Sequence, residues 1–492
     1  MSTAVSSHTP VTSASDAARG TQERPLRVAV IGSGPAGVYA ADMLTKSPEV
    51  RDGLVLAIDL FDRYPAPYGL IRYGVAPDHP RIKGIVNALH KVLDRGDIRF
   101  FGNVDYGTDL TLADLQKHYD AVIFATGAIK DADLNIPGVE LEGSYGGADF
   151  VSWYDGHPDV SREWPLNAKE IAVIGNGNVA LDVARVLSKH ADDLLVTEIP
   201  DNVYAGLLES PVTDVHIFGR RGPAQVKFTP LELRELSHSR DVDIVLYEED
   251  FDFDEASDAA VKSNNQVKTM VNTLSNWLVE QDDDAADPAT GASRRLHLHF
   301  LHNPVEILGE GGKVSGIKFE RNELDGTGNA RGTGKFIEYP VQAVYRSVGY
   351  FGSALPDVEF DHRRGVVTND GGRVLGADGE HVPGIYATGW IKRGPVGLIG
   401  STKGDALETI TYLLADRTEL PAAVVPSIDA IVELLDGRGV EFTSWEGWNE
   451  LDGHEKDLGV RASEAGPVVR ERVKVVSRKE MVNVSRGTAE VH

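Results

Sequence analysis

A chain of 492 residues, 41% of them apolar, can bury substantial cores and is long enough for two or three domains. Its formal net charge of −26 argues against general nucleic-acid binding, and no apolar run approaches the roughly 20 residues of a membrane span. With no cysteine, the chain has no disulfides, redox-active dithiols, thiolate-bound iron–sulfur clusters or cysteine nucleophiles.

Residues 1–24 are rich in Ser and Thr, carry Asp16 and Glu23 and lack an apolar signal core, so they read as a disordered extension of a cytoplasmic protein. Structure is expected from Arg27, where LRVAVIG reads as a strand. Gly32-Ser33-Gly34-Pro35-Ala36-Gly37 then forms a full GxGxxG turn, and VYAADMLTKS is helical. Strand, glycine turn and helix in that order fit a dinucleotide site, because the turn glycines let the backbone approach a pyrophosphate at a helix N-terminus. The next strand, LVLAIDLFD, ends in Asp62. An acid there accepts hydrogen bonds from ribose hydroxyls and repels a 2′-phosphate, which suits FAD or NAD. Asp59 is the rival acid, but Asp62 sits nearer the strand's C-terminal end. TLADLQKHYDAVIFATGA follows as a helix, a strand and the small-residue turn Ala125-Thr126-Gly127, which can pass close to a cofactor.

The theme then repeats. KEIAVIG leads into Gly175-Asn176-Gly177-Asn178-Val179-Ala180 and a helical pattern, and the strand VHIFGRRG ends in Arg220 and Arg221 instead of an acid. Two guanidinium groups suit a 2′-phosphate and gain little from a bare hydroxyl, which points to NADP(H). An acid-ended and an arginine-ended site in one chain suggest a bound flavin reduced by NADPH. Asp250 to Ser293 is acidic with a helical middle and reads as a solvated excursion. In RRLHLHFLH, His297 and His299 share a strand face, but no third ligand is in view and no metal site is assigned. Gly384 to Leu414 is a strand, a glycine-rich turn and a long amphipathic helix, whose backbone N–H groups would suit a negatively charged flavin. The tail beyond Leu414 carries tryptophans that read as packing anchors.

These motifs together resemble one family. GSGPAG, APYGLIRYGVAPDHPRIK, GNGNVALDVAR, FGRRGPAQVKFTPLELREL, RSVGY and GWIKRGPVGLIGSTK are similar to the adrenodoxin-reductase type of ferredoxin–NADP⁺ reductase, over nearly all of Arg27 to Leu414. The resemblance implies an α/β fold of two Rossmann-like three-layer domains, with the NADP domain (131–345) inserted into a discontinuous FAD domain (25–130 and 346–492). It implies non-covalent FAD, and cofactor contacts at Gly69 and Leu70 and at Gly389, Trp390, Gly397, Leu398 and Ile399, beside those in the two fingerprints. Trp390 stands where the wider flavoprotein group carries an acid for the ribitol, a departure that matches this subfamily. His79 and Glu232 match the family's pair near the nicotinamide, where they would orient the carboxamide and tune hydride transfer.

The implied activity is hydride transfer from NADPH to FAD, then single-electron transfer to a ferredoxin-type iron–sulfur protein. An NADPH diaphorase acting on quinones and a non-catalytic nucleotide-sensing flavoprotein are the rivals. An acidic ferredoxin needs a local basic rim on so acidic a chain, and Arg72, Arg81, Lys83, Lys392 and Arg393 lie in the turns expected to border the flavin. The same cations could instead contact cofactor phosphates or pair with nearby acids.

Overall fold

The computed structural model describes residues 19–284, 291–397, 399–425 and 427–488. Leu26–Ile31 (β1) is buried along its whole length, as a parallel strand covered on both faces must be. The helix Pro35–Thr45 links it to Leu56–Phe61 (β2), and Ile98–Phe101 (β3) and Ala121–Phe124 (β4) follow. The chain leaves this unit through Lys130–Asp131 (β5). A second unit is built from Ser144–Gly146 (β6), Glu170–Ile174 (β7), Asp214–Phe218 (β8), Val242–Val245 (β9) and Arg294–His299 (β10). His302–Glu310 (β11), Lys313–Leu324 (β12) and Ala330–Tyr339 (β13) form an antiparallel sheet before Ala343–Arg346 (β14) returns to the second unit. Tyr350–Phe351 (β15) pairs with β5, so the chain enters and leaves the insert side by side. Phe360–Asp361 (β16) with Val366–Val367 (β17), then Asn369–Asp370 (β18), Arg373–Leu375 (β19) and His381–Ala387 (β20), complete the strands.

The first sheet has the order β18-β19-β20-β4-β1-β2-β3 and is parallel from β20 to β3. The second, β6-β14-β7-β8-β10-β9, is parallel throughout. Because β20 joins β4 while the whole second sheet lies between them in sequence, the second unit is inserted in the first. Alternate residues of β1 feed two cores: Val28 and Val30 pack on one side, Ala29 and Ile31 on the other. In the second unit Ile171 and Val173 face a helical layer, whereas Ala172 and Ile174 pack on Ile307, Ile317 and Phe319 of the antiparallel sheet. Its third layer is therefore partly β, because β11 and β12 present an apolar face with nowhere else to bury it.

Three sequence expectations change. The acidic stretch after Asp250 is not a solvated excursion: Asn265–Asp284 is a helix whose Met270 and Leu274 are buried in the second unit's core. Asp250 itself is buried, paired with Arg321 and accepting from Phe300 N at 2.7 Å. Residues 285–290 lie outside the described residues, as do residues 1–18. The terminal segment is in place before Arg27, since Arg24 approaches Asp120 to 3.5 Å and Arg19 donates to Leu420 O. β14 runs through Arg346, so the second sheet ends one residue beyond the expected boundary.

Candidate active site

At the first fingerprint, Gly32 has φ +109°, and a Cβ there would stand 2.5 Å from Ala125 O; one at Gly37 would stand 1.9 Å from Gly32 O. The turn therefore closes only on glycine, and Pro35 opens the helix at its first turn with no side-chain cap over its N–H groups. Gly34 faces a second glycine, Gly69 at φ +50°, whose Cβ would meet Gly34 Cα at 3.1 Å. Beside it the buried Tyr68 is held at φ +84°, strained for a bulky residue, with its N–H donating to Ser33 O. Leu70 begins the short helix after Gly69. Asp62 follows the last residue of β2 and accepts from Ser33 N at 2.9 Å, Ser33 Oγ at 2.6 Å and Tyr64 N at 3.0 Å. Burial raises its pKa against those donors. Asp59 is bound away from the turn by Arg99 and Tyr119.

The opposite wall comes from the chain's return. Gly389, at φ +75°, could not carry a Cβ without meeting Ala36 Cβ at 2.5 Å, which explains the small residue at both positions. Trp390 stacks on Tyr350, ring centroids 6.0 Å apart. Thr126 flanks the Gly32 turn, and beside Gly127, at φ +73°, no atom of the described residues lies within 4 Å of a built Cβ. Gly397 is at φ +86° next to Arg393, which has two buried nitrogens without a hydrogen-bond partner among the described residues. Ile399 packs on the first unit's core. Leu398 lies outside the described residues.

The second fingerprint repeats the turn. Gly175 sits at φ +143°, its Cβ position 2.2 Å from Ser347 O. Gly177 differs: its φ of −102° suits any residue, and among the described residues nothing lies within 4 Å of a built Cβ. Protein neighbours do not require glycine there, whereas a pyrophosphate against the backbone would. Asn178 Oδ1 accepts from Thr229 N at 3.0 Å, tying the fingerprint helix to the start of Pro230–Leu236, and Val179 packs on the second core. Beyond β8, Asn322 Nδ2 donates to Arg220 O at 2.8 Å and Leu301 N to Arg221 O at 3.2 Å. The backbone of both arginines is fixed, and among the described residues neither guanidinium has an acid partner.

Between the two sites lies a buried charged cluster. His79 Nε2 is 2.7 Å from Asp182 Oδ1, and His79 Nδ1 is 2.7 Å from Glu235 Oε2. Burial disfavours the imidazolium, but the Asp182 carboxylate outweighs it and the His79 pKa is raised. Arg185 grips Asp78 through two 2.8 Å bonds and also reaches Asp182 at 2.8 Å, so the PDHP turn of the first unit is locked onto the fingerprint helix of the second. Glu232 joins this cluster electrostatically, but His79's direct partner on that helix is Glu235. Glu232 is buried, its Oε2 has no hydrogen-bond partner among the described residues, and burial pushes its pKa up.

Sequence reasoning missed Asp182, Arg185 and Glu235. The available signal was a charged residue on each of two helix faces that otherwise bury apolar side chains, as in Leu181-Asp182-Val183. The basic rim also needs correction: Arg72 is buried against Glu455, Lys83 pairs with Asp155 and Glu198, and Lys392 is buried against Asp405 and Glu408. Arg81 alone of the five is exposed, and Arg393 lies 3.9 Å from Asp405. Trp445 and Trp448 are packing anchors in the first core. His297 and His299 gain the third histidine that sequence did not supply, His216 on β8, but the three rings lie near-parallel and stacked, so their lone pairs do not converge.

Residues 26–216 match the family model of pyridine nucleotide-disulphide oxidoreductases. The chain is 39% identical over 475 residues to the NADPH-ferredoxin reductase FprA of Mycobacterium tuberculosis, covering 94% of this chain and 100% of that one. It is 35% identical to the human mitochondrial NADPH:adrenodoxin oxidoreductase, covering 94% and 93%. A solved structure of M. tuberculosis FprA in complex with NADPH superposes with a TM-score of 0.84 over 94% of this chain and 100% of that one, at 39% identity. With identity at this level over nearly full lengths, two glycine-cradled sites and the charged cluster between them, the chain belongs to the family of NADPH-ferredoxin and NADPH:adrenodoxin reductases.

Proposed function

We propose that this chain is an FAD-dependent reductase that oxidises NADPH and passes electrons singly to a ferredoxin-type iron–sulfur protein. The observation that carries the reading is the pairing of two glycine-cradled helix N-termini, one followed by a strand leading to Asp62 and the other by a strand leading to Arg220 and Arg221, across a buried cluster in which Glu232 Oε2 has no hydrogen-bond partner among the described residues. Both turns suit their groups: Gly69 packs closely on Gly34 and so keeps side chains off the backbone of the first turn, and Gly177 faces open space among the described residues. Bound non-covalently, FAD supplies the exchange between a two-electron hydride and single electrons.

The residues divide the work. The turns at Gly32–Gly37, Gly69, Leu70, Ala125–Gly127 and Gly389–Ile399 hold the flavin. Gly175, Gly177, Asn178 and Val179 seat the NADPH pyrophosphate, and Arg220 and Arg221 take its 2′-phosphate. Glu232 offers its free carboxyl oxygen to the nicotinamide carboxamide. His79, clamped by Asp182 and Glu235, fixes the first unit's edge against the second so that donor and acceptor meet at a set distance. We assign the first sheet to the flavin domain and the inserted sheet to the coenzyme domain. Among the described residues no helix is long and apolar enough to cross a membrane, and we place the reaction in the cytoplasm, where an NADPH pool supplies it.

Turnover assays test the reading. Purified protein should be yellow, bleach with NADPH, and reduce a ferredoxin faster than a quinone at equal concentration. Colourless protein would remove the flavin, and turnover confined to quinones would replace the iron–sulfur partner.

A further inference from the structure

The turn that precedes Leu70–Tyr73 contains a residue ill suited to its own backbone. Tyr68 stands at φ +84°, a region that L side chains rarely adopt, yet it carries a bulky ring that is only 2% exposed. Gly69, the next residue, also has a positive φ and packs on Gly34 of the first fingerprint. Glycine at position 68 would take the same φ without strain, so the tyrosine side chain supplies something that offsets it. The backbone of Tyr68 already serves the fingerprint: its N–H donates to Ser33 O at 3.1 Å, and Ser33 in turn donates to Asp62 through both N and Oγ.

The side chain is held by residues far along the chain. Its ring meets Trp448 edge to face, centroids 5.6 Å apart, and its Oη lies 3.2 Å from His90 Nδ1. The His90 ring is tilted against Trp445 at 4.9 Å, so both contacts lead to the tail helix Trp445–Ala465. Aromatic pairs of this geometry are favourable beyond the area they bury. The same helix fixes the residues that follow: Glu455 accepts from Arg72 Nη1 at 3.0 Å, and the Arg72 guanidinium carbon lies 5.3 Å from the Trp448 ring centroid. Lys474, further along the tail, donates to Arg72 O at 2.6 Å. The turn from Tyr68 to Arg72 therefore has its backbone on the first fingerprint and its side chains in the tail.

We propose that Tyr68 is a positioning residue for the flavin: Trp448 and His90 hold its ring, and the ring holds the strained turn that keeps Gly69 on Gly34 and Ser33 on Asp62. This inference rests on the reading of the first fingerprint as the flavin site. Without the ring contacts the backbone at position 68 would relax to negative φ, Gly69 would leave Gly34, and the cradle would lose its shape. The tail helix thereby governs how firmly the flavin is kept. Plain core packing at Tyr68 predicts something different, since its loss grows with the cavity left behind, whatever φ the backbone prefers.

The test follows flavin release from the full-length, flavin-loaded protein, read as the rise in free-FAD fluorescence on dilution. Tyr68→Phe keeps the ring and should release FAD at close to the wild-type rate. Tyr68→Ala keeps the strain and loses the ring, and release should quicken about ten- to a hundredfold. Tyr68→Gly loses both ring and strain, and should hold FAD more firmly than Tyr68→Ala although it leaves the larger cavity. Trp448→Leu should quicken release as Tyr68→Ala does, and it takes the place of that variant if near-ultraviolet circular dichroism shows Tyr68→Ala to be unfolded. A wild-type release rate in Tyr68→Ala or in Trp448→Leu, or a Tyr68→Gly protein no better than Tyr68→Ala, would overturn the role of Tyr68. Wild-type protein that carries no FAD would instead overturn the flavin reading of the site.

Discussion

Replacing Arg220 and Arg221 together by alanine tests the coenzyme assignment most directly. Their backbone carbonyls accept from Asn322 Nδ2 and Leu301 N, so the strand end stays in place when the side chains go. Neither guanidinium pairs with an acid among the described residues, so truncation strands no carboxylate and should change stability by no more than about 0.5 kcal/mol. Each lost charge-assisted contact to a 2′-phosphate costs about 1.5–3 kcal/mol, or roughly 10- to 150-fold in NADPH affinity. NADH has no such phosphate and should lose almost nothing. The preference for NADPH should therefore collapse through a raised NADPH KM, with kcat at saturation and flavin content unchanged. Steady-state kcat/KM for both coenzymes decides it. A double variant that keeps its NADPH preference would place the phosphate elsewhere and refute the reasoning.

The two turn glycines of the second fingerprint should part company. Gly177→Val should fold normally and weaken NADPH binding, whereas Gly175→Ala, at φ +143° and 2.2 Å from Ser347 O, should lower the thermal midpoint; equal effects on folding would reverse the reading of Gly177. Glu455→Ala leaves the buried Arg72 guanidinium unpaired and should cost about 3–5 kcal/mol in chemical denaturation, and a loss below 1 kcal/mol would show that water reaches the pair. Because the folded pKa of His79 is raised above its ordinary 6.5, its contribution to stability is fully present below that value and declines as pH rises through the raised one. The thermal midpoint should thus fall on the alkaline side in the wild type, and Asp182→Asn should flatten that limb. Ionic strength should slow ferredoxin reduction but not dye reduction, since the Debye length shrinks from about 10 Å at 0.1 M to 3 Å at 1 M; equal sensitivity would argue against a docked acidic partner.

The parts legible in sequence are those whose cause is local. Gly32, Gly37 and Gly175 are glycine because backbone atoms a few residues or one strand away leave no room for a Cβ, and such turns announce themselves in a run of six letters. Asp62 and the Arg220–Arg221 pair were legible because a strand's end fixes where its last side chains stand. What stayed hidden depends on partners far along the chain. Arg72 read as a rim cation because its own turn shows no acid, yet Glu455, 383 positions later, buries it. His79 and Glu232 read as two residues near the nicotinamide, but the helix phase that brings Glu235 to the His79 ring and the fold that brings Asp182, 103 positions away, leave no local trace. His216 lies 83 positions from His299 and meets it only through strand order.

These long-range pairs also explain how two separately folded sheets hold one reaction geometry. Lys474 in the tail donates to Arg72 O at 2.6 Å in the first unit and to Asp155 O at 3.0 Å in the inserted one, and its ammonium lies 2.8 Å from Glu198, which also binds Lys83. Arg470 reaches Asp201 and Ile199 O from the same segment. The tail thus bonds both halves, β5 and β15 pair where the chain enters and leaves the insert, and His79, Asp182 and Arg185 tie the PDHP turn to the second fingerprint helix. Such buried ion pairs add little net stability over apolar packing, but shifting one half against the other would leave charges unpaired at a cost of several kcal/mol. The motifs carry the local chemistry of each turn, and these unannounced pairs tie the two halves to each other. That division explains why a motif reading finds the coenzymes readily and misplaces the rim: of the cations it saw, Lys83 bridges the two halves and Arg72 and Lys392 are buried in ion pairs of their own.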